Sequence, residues 1–260
     1  MKLTQIVQKR RRMNTNQANG EITSQPKRLA RIAGVFYLLV GITGGFAEGF
    51  VDPKIYVPGN AAATTGNILA NQGLVRMSVV SHLVDAVFFV LTAMALYILL
   101  EHVHKSMARA MLVFVAVAVG IIALNAVFQF EGLKVATDAS YVTAFGAVGS
   151  NALVLLLLDI QHYGTLAAQV FFGLWLAPLG YLAYKSGLFP KALGVTLIAA
   201  TVCYLVHLIT AFLVPDFHKQ IHPFIVIVPT IAEIWMVLYL LVVGVKTVKS
   251  DKRILAAATA

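Results

Sequence analysis

From Leu29 onward the chain is a succession of apolar runs separated by short polar stretches. Each run is long enough to cross a bilayer, for which a helix needs roughly 20 apolar residues. Six spans are predicted: about Leu29–Val51, Val75–Leu100, Ala108–Phe130, Tyr163–Tyr184, Ala192–Val214 and Pro223–Val245. Runs such as Met111–Leu124 do not alternate between apolar and polar positions, so a barrel strand is excluded there. In lipid every backbone N–H and C=O must be paired internally, which leaves the helix. The pattern therefore predicts an all-α fold, a polytopic transmembrane helical bundle of six spans, with seven as the alternative.

The linkers settle the connections. Those around 101–107 and 185–191 are short and join antiparallel neighbours. The linker at 52–74 holds the turn signals Asp52-Pro53 and Pro58-Gly59-Asn60, and Asn60 is placed to cap a short helix reaching Ala70. The linker at 131–162 contains the apolar stretch Ala152–Leu158, so a seventh span at about Tyr141–Leu158 competes with an interfacial or half-inserted helix at 141–160. In the first span Gly41, Gly45 and Gly49 recur at spacing four, a face that would let a second helix approach closely. Pro178 and Pro229 lie inside spans and should kink them or release a carbonyl. No internal repeat supports an inverted-repeat carrier.

Composition agrees. Hydrophobic residues make up 59% of the 260, charged residues 12%, and mean hydropathy is +0.83, whereas a soluble domain carries about 25% charged residues. The net charge of +9 would suggest nucleic acid in a soluble protein. Here the basic residues flank the spans, so they read as topology determinants and contacts to anionic lipid headgroups, with no nucleic acid partner. In the six-span arrangement sixteen Lys and Arg fall on one side, and Lys54, Arg76, Lys134 and Lys219 on the other. A seventh span would reduce the split to eleven against nine. The positive-inside rule thus favours six spans, both ends cytoplasmic, 131–162 outside, and a multi-pass protein of the cell membrane. Residues 1–28 read as a disordered basic cytoplasmic tail rather than a signal peptide, with Met13 a second candidate start, 29–245 as the transmembrane domain and 246–260 as a cytoplasmic tail. The single cysteine, Cys203, excludes an internal disulfide. Oligomeric state is left open.

The polar exceptions cluster at one depth. Glu48, Ser78, Ser81, His82, Asp85, Asn125, Gln129, Asp159, His162, Gln169 and His207 all fall in the outer half of the bundle, His218 and His222 precede the last span, and Glu233 sits near its middle. Ser78, His82 and Asp85 share one helical face. Ionisable groups at membrane depth face the bundle interior or a wet cavity, so Glu48, Ser78, His82, Asp85, Gln129, Asp159, His162, His207 and Glu233 are candidates for an outward-facing polar pocket. The alternative is that they hydrogen-bond helices together. His82, Asp85, His218 and His222 are the candidate metal ligands, since imidazole and carboxylate suit zinc and similar ions. Glu233, one turn after Pro229, could handle protons or pair locally to fix packing. Phosphate-loop, G-x-S-x-G, H-E-x-x-H and C-x-x-C motifs are absent. No cofactor is assigned.

Ser78, His82 and the His218/His222 pair loosely resemble the membrane hydrolases that include alkaline ceramidases and adiponectin receptors. Asp85 lies on a different helix from theirs, and a seventh span is missing, so the chain is not placed among them. Three longer stretches carry a closer resemblance: Arg28-Leu-Ala-Arg-Ile-Ala-Gly-Val-Phe-Tyr-Leu-Leu, Val57-Pro-Gly-Asn-Ala-Ala-Ala-Thr-Thr-Gly-Asn-Ile-Leu-Ala-Asn, and the stretch from Val170-Phe-Phe-Gly-Leu-Trp to Pro190-Lys-Ala-Leu-Gly-Val. Over residues 28–245 the chain resembles the bacterial integral membrane family DUF4386, a domain of unknown function. The resemblance implies a multi-span prokaryotic membrane protein and brings no substrate, cofactor or catalytic residue. The leading functional expectation is small-ligand binding in the outward-facing pocket. A metal-dependent intramembrane hydrolase and a proton-coupled carrier are the alternatives.

Overall fold

The computed structural model describes residues 25–246. Most of the predicted basic tail and most of the C-terminal tail lie outside the described residues. Among those described there is no strand. Seven helices follow one another: α1 Gln25–Ile55, α2 Ala61–Ala70, α3 Gln72–Leu100, α4 Lys105–Thr137, α5 Ala139–Ser186, α6 Lys191–Leu213 and α7 Pro215–Val242. All except α2 are long and apolar enough to cross a membrane, so the six predicted spans are present. Val195, Val202 and Ile209 recur every seven residues on α6 and are all exposed, a stripe that lipid would cover.

Two apolar cores mark the two ends of the bundle. One joins Ala30 and Ala33 of α1, Leu96 and Leu100 of α3, Met111 of α4, Leu179 of α5, Leu193 of α6 and Leu240 of α7. The other joins Val51 and Ile55 of α1, Ile68 of α2, Val75 of α3, Leu133 of α4, and Val154 and Leu158 of α5. The start of each odd span thus sits beside the end of each even one, as short antiparallel connections require. The second end, which includes α2, is the one the basic residues assign to the outside.

The 52–74 linker turns at Pro58-Gly59-Asn60 as its sequence indicates, whereas Asp52-Pro53 makes no turn and continues α1 to Ile55. Gly59 turns the chain at φ +71°, and Asn60 Oδ1 accepts from the Ala63 N–H at 3.0 Å to cap α2. Asn60→Ala is expected to lower stability by about 1 kcal/mol, measured as the midpoint of thermal denaturation in detergent. A shift no larger than that of an exposed mid-helix alanine substitution would show that the cap contributes nothing.

The 131–162 segment differs from expectation. It is neither a seventh span nor a separate interfacial helix at 141–160. The only non-helical residue within α5 is Gly146 (φ +69°, ψ 167°), and from 147 the helix runs unbroken to Ser186. At 1.5 Å per residue those 40 residues reach about 60 Å, twice the hydrocarbon thickness. Val154 and Leu158 are fully buried against α1, α2, α3 and α4, so apolar contacts rather than lipid account for the hydrophobic stretch there.

The glycine stripe also differs. An added Cβ at Gly41, Gly45 or Gly49 would meet nothing within 4 Å, so these glycines do not receive a helix. Close approach occurs elsewhere: Gly34 against Leu240, and Gly180 against Gly194, where α5 and α6 touch backbone to backbone. In α1 the turns at Gly45–Val51 instead widen into a π-helix, a local form frequent at functional sites. α7 breaks at Val226 between Pro215–Ile225 (α7a) and Ile227–Val242 (α7b). Pro229 supplies the reason: it has no N–H for the Ile225 carbonyl, and its ring crowds that carbonyl.

A candidate cation-binding cavity in the outer half of the bundle

Glu48 sits in the π-helical turns of α1 and lines two cavities at once. The outer cavity, of about 540 Å³, is also lined by Asp52 and Tyr56, by His162, Thr165 and Gln169 of α5, by His207 of α6, and by His218 and His222 of α7a. The inner cavity, of about 230 Å³, is lined by Tyr37, Gly41, Gly44 and Gly45 of α1, Asp85 and Phe89 of α3, Phe172 and Trp175 of α5, Tyr204 of α6 and Glu233 of α7b. The glycine face of α1 therefore forms a wall: the missing side chains at Gly41 and Gly45 leave room that larger residues would fill.

The inner cavity is an aromatic box with acidic corners. Phe89 and Trp175 pack edge to face at 5.0 Å, and Tyr37 meets Trp175 in the same way at 5.4 Å. The Tyr37 hydroxyl donates to Glu233 Oε2 at 2.7 Å, and the Tyr204 hydroxyl donates to Glu233 Oε1 at 2.8 Å. Each carboxylate oxygen thus accepts one phenol hydrogen bond, and the cluster ties α1, α6 and α7b together. Asp85 lies opposite, with Thr43 Oγ1 3.1 Å from its Oδ1. Among the described residues no Lys or Arg lines this cavity.

A second acidic centre closes the outer cavity. Asp52 accepts from Gln129 Nε2 through Oδ1 and from Gln161 Nε2 through Oδ2, each at 2.8 Å, so its position is fixed by α4 and α5. Tyr56 donates to Asp159 Oδ1 at 2.5 Å, and the Tyr56 ring lies 5.1 Å from that of His162. Burial, followed by the Asp159 hydrogen bond, holds the Tyr56 phenol above its ordinary pKa, so it remains a proton donor.

The remaining candidates fall into two groups. Ser78, His82 and Asp85 are all buried, as their shared face requires, but only Asp85 lines the inner cavity. Ser78 Oγ and His82 Nε2 have no hydrogen-bond partner among the described residues. Asn125 Nδ2 donates to Thr165 Oγ1 at 3.3 Å, binding α4 to α5. The expected grouping of His218 and His222 with His82 and Asp85 does not form. Those two histidines meet His207 instead, with ring centroids 4.6 and 5.1 Å from it.

Sequence reading passed over Asp52, Tyr37, Tyr56, Gln161 and Tyr204. The Asp52-Pro53 pair suggests a turn, although Asp52 follows Glu48 by four residues and so shares its face of α1. Nothing in sequence distinguishes Tyr37 and Tyr204 from ordinary apolar positions, because their partner Glu233 is contributed by another helix.

None of the curated proteins or solved structures compared matches the chain. Residues 32–244, most of its length, match the family described as Domain of unknown function (DUF4386), and the chain belongs to that family.

Proposed function

We propose that this integral membrane protein binds a small organic cation, of the substituted-ammonium class, in the inner cavity, reached from outside through the outer one. One observation carries the reading. Glu48, Asp85 and Glu233, from three different spans, converge on a cavity walled by five aromatic rings and by no basic residue among those described. A carboxylate in the low-dielectric interior needs a partner. Glu233 has its two phenols, whereas Asp85 has one threonine hydroxyl. A cation between Asp85, Glu48 and the rings of Phe89 and Trp175 would satisfy the acids and gain cation–π attraction. The volume of about 230 Å³ suits a small ligand. The lysines and arginines flanking the opposite end support a cell-membrane orientation that turns this cavity outward and sets the basic flanks against anionic headgroups.

The thermal stability of the purified protein should test this. Tetramethylammonium chloride is expected to raise the melting temperature in a saturable manner above sodium chloride at equal ionic strength. At a ligand concentration 100 times Kd the stabilisation is about 2.7 kcal/mol. Asp85→Asn should remove most of that increment. An equal response to sodium, or an undiminished response in Asp85→Asn, would sink the reading.

A further inference from the structure

We infer that His207, His218 and His222 form a binding site for a divalent transition metal of the zinc class, separate from the inner cavity. One ring nitrogen from each histidine lies within 4.8 Å of the other two. Two independent elements build the group. His207 is buried in the last turns of α6, and His218 and His222 stand one turn apart on α7a. The tight connection at Val214 folds α7a back over α6, which brings the rings together.

The hydrogen bonding favours a ligand over a simple aromatic cluster. Thr210 Oγ1 donates its single proton within its own helix, to the Val206 carbonyl at 2.8 Å. The same oxygen lies 3.0 Å from His218 Nδ1, where it accepts when the His218 proton is on Nδ1. In that tautomer Nε2 keeps its lone pair, as a metal requires. Thr210 thereby plays the part of the outer partner that orients metal-bound histidines.

The donor set points to the class of ion. Three imidazoles suit zinc, copper, nickel or cobalt and are poor ligands for calcium or magnesium, which take oxygen. With bonds of about 2.05 Å, tetrahedral ligands stand roughly 3.4 Å apart. Three protein ligands leave a fourth position, and the three histidines all line the outer cavity. The site is thus open to water or to an exogenous ligand, as in catalytic rather than structural zinc centres. Glu48 and Asp52 line the same cavity, as does Lys219, whose ammonium is paired with Asp216 at 3.1 Å.

The test uses untagged, full-length protein in detergent, stripped with chelator and titrated with Zn²⁺, and with Co²⁺ for its visible spectrum. One equivalent should bind, and Co²⁺ should give the intense absorption of tetrahedral coordination. His207→Ala and His222→Ala should each weaken binding at least 100-fold, and Thr210→Val about 10-fold. His162→Ala, which removes an exposed histidine of the same cavity outside the group, should leave affinity unchanged. If His207→Ala fails to fold, Thr210→Val and His222→Gln carry the comparison. No stoichiometric binding, or a loss in His162→Ala equal to that in His222→Ala, would overturn the proposal. Because Asp85 and the aromatic box take no part, Asp85→Asn should retain full metal affinity even if organic cations do not bind.

Discussion

Glu233→Ala is expected to destabilise the bundle by roughly 2–4 kcal/mol, one of the two largest effects anticipated for a single substitution. The side chain accepts hydrogen bonds from two phenols on two other helices. Removing it leaves both hydroxyls without that acceptor, and an unsatisfied buried polar group costs about 1–3 kcal/mol. Tyr37 is 3% exposed, so water reaches its hydroxyl poorly, whereas Tyr204 is half-buried and can recover part of the loss from the cavity. Glu233→Gln keeps the shape and one acceptor and should lose less. Tyr37→Phe removes one bond and should lose about 1 kcal/mol. Thermal denaturation in detergent orders the three: Ala worst, then Gln and Phe. Equal stability of Glu233→Ala and wild type would mean that the phenols do not depend on this carboxylate.

Gly180→Ala or Gly194→Ala should be comparably severe, about 3 kcal/mol. A Cβ on Gly180 would lie 2.6 Å from the Gly194 carbonyl oxygen, and one on Gly194 would lie 2.7 Å from the Gly180 oxygen. Backbone cannot rotate aside as a side chain can, so α5 and α6 must separate. That puts the substitution at the upper end of the overpacking range. Gly45→Ala is the contrast. Its Cβ meets open space, and alanine is the better helix former by about 1 kcal/mol, so stability should hold or rise. A stability series in detergent reads both. Loss at Gly45 equal to that at Gly180 would mean that the α1 face receives a helix after all.

These contrasts show what a single sequence could and could not reveal. Span number, helix class and the Asn60 cap follow from local signals, because apolar length, turn residues and capping chemistry act within a few residues. That polar groups from several spans are buried inside the bundle is shown at Ser78, His82, Asp85, Gln129 and His207. Which groups meet was not legible. Gly41-x-x-x-Gly45 and Gly180 carry the same local information, yet one faces a void and the other a backbone, and only the packing of distant helices decides. His207 joins His218 and His222 through the fold of α7a onto α6, whereas His82, with a similar local sequence claim, is buried on α3 with no partner for its Nε2 among the described residues. The run at 152–158 is apolar enough to suggest lipid, but its partners are Val75, Leu133 and Ile55.

The most direct measurement of the central claim uses Trp175, which lines the inner cavity. In the Trp235→Phe protein Trp175 is the sole tryptophan, since the chain has two, and its fluorescence reports on the aromatic box. Titration with tetramethylammonium at constant ionic strength should change that emission along a saturable curve, and Asp85→Asn should weaken the binding at least tenfold. A linear, unsaturable response, or the same curve with sodium, would contradict a cation site between the acids and the rings.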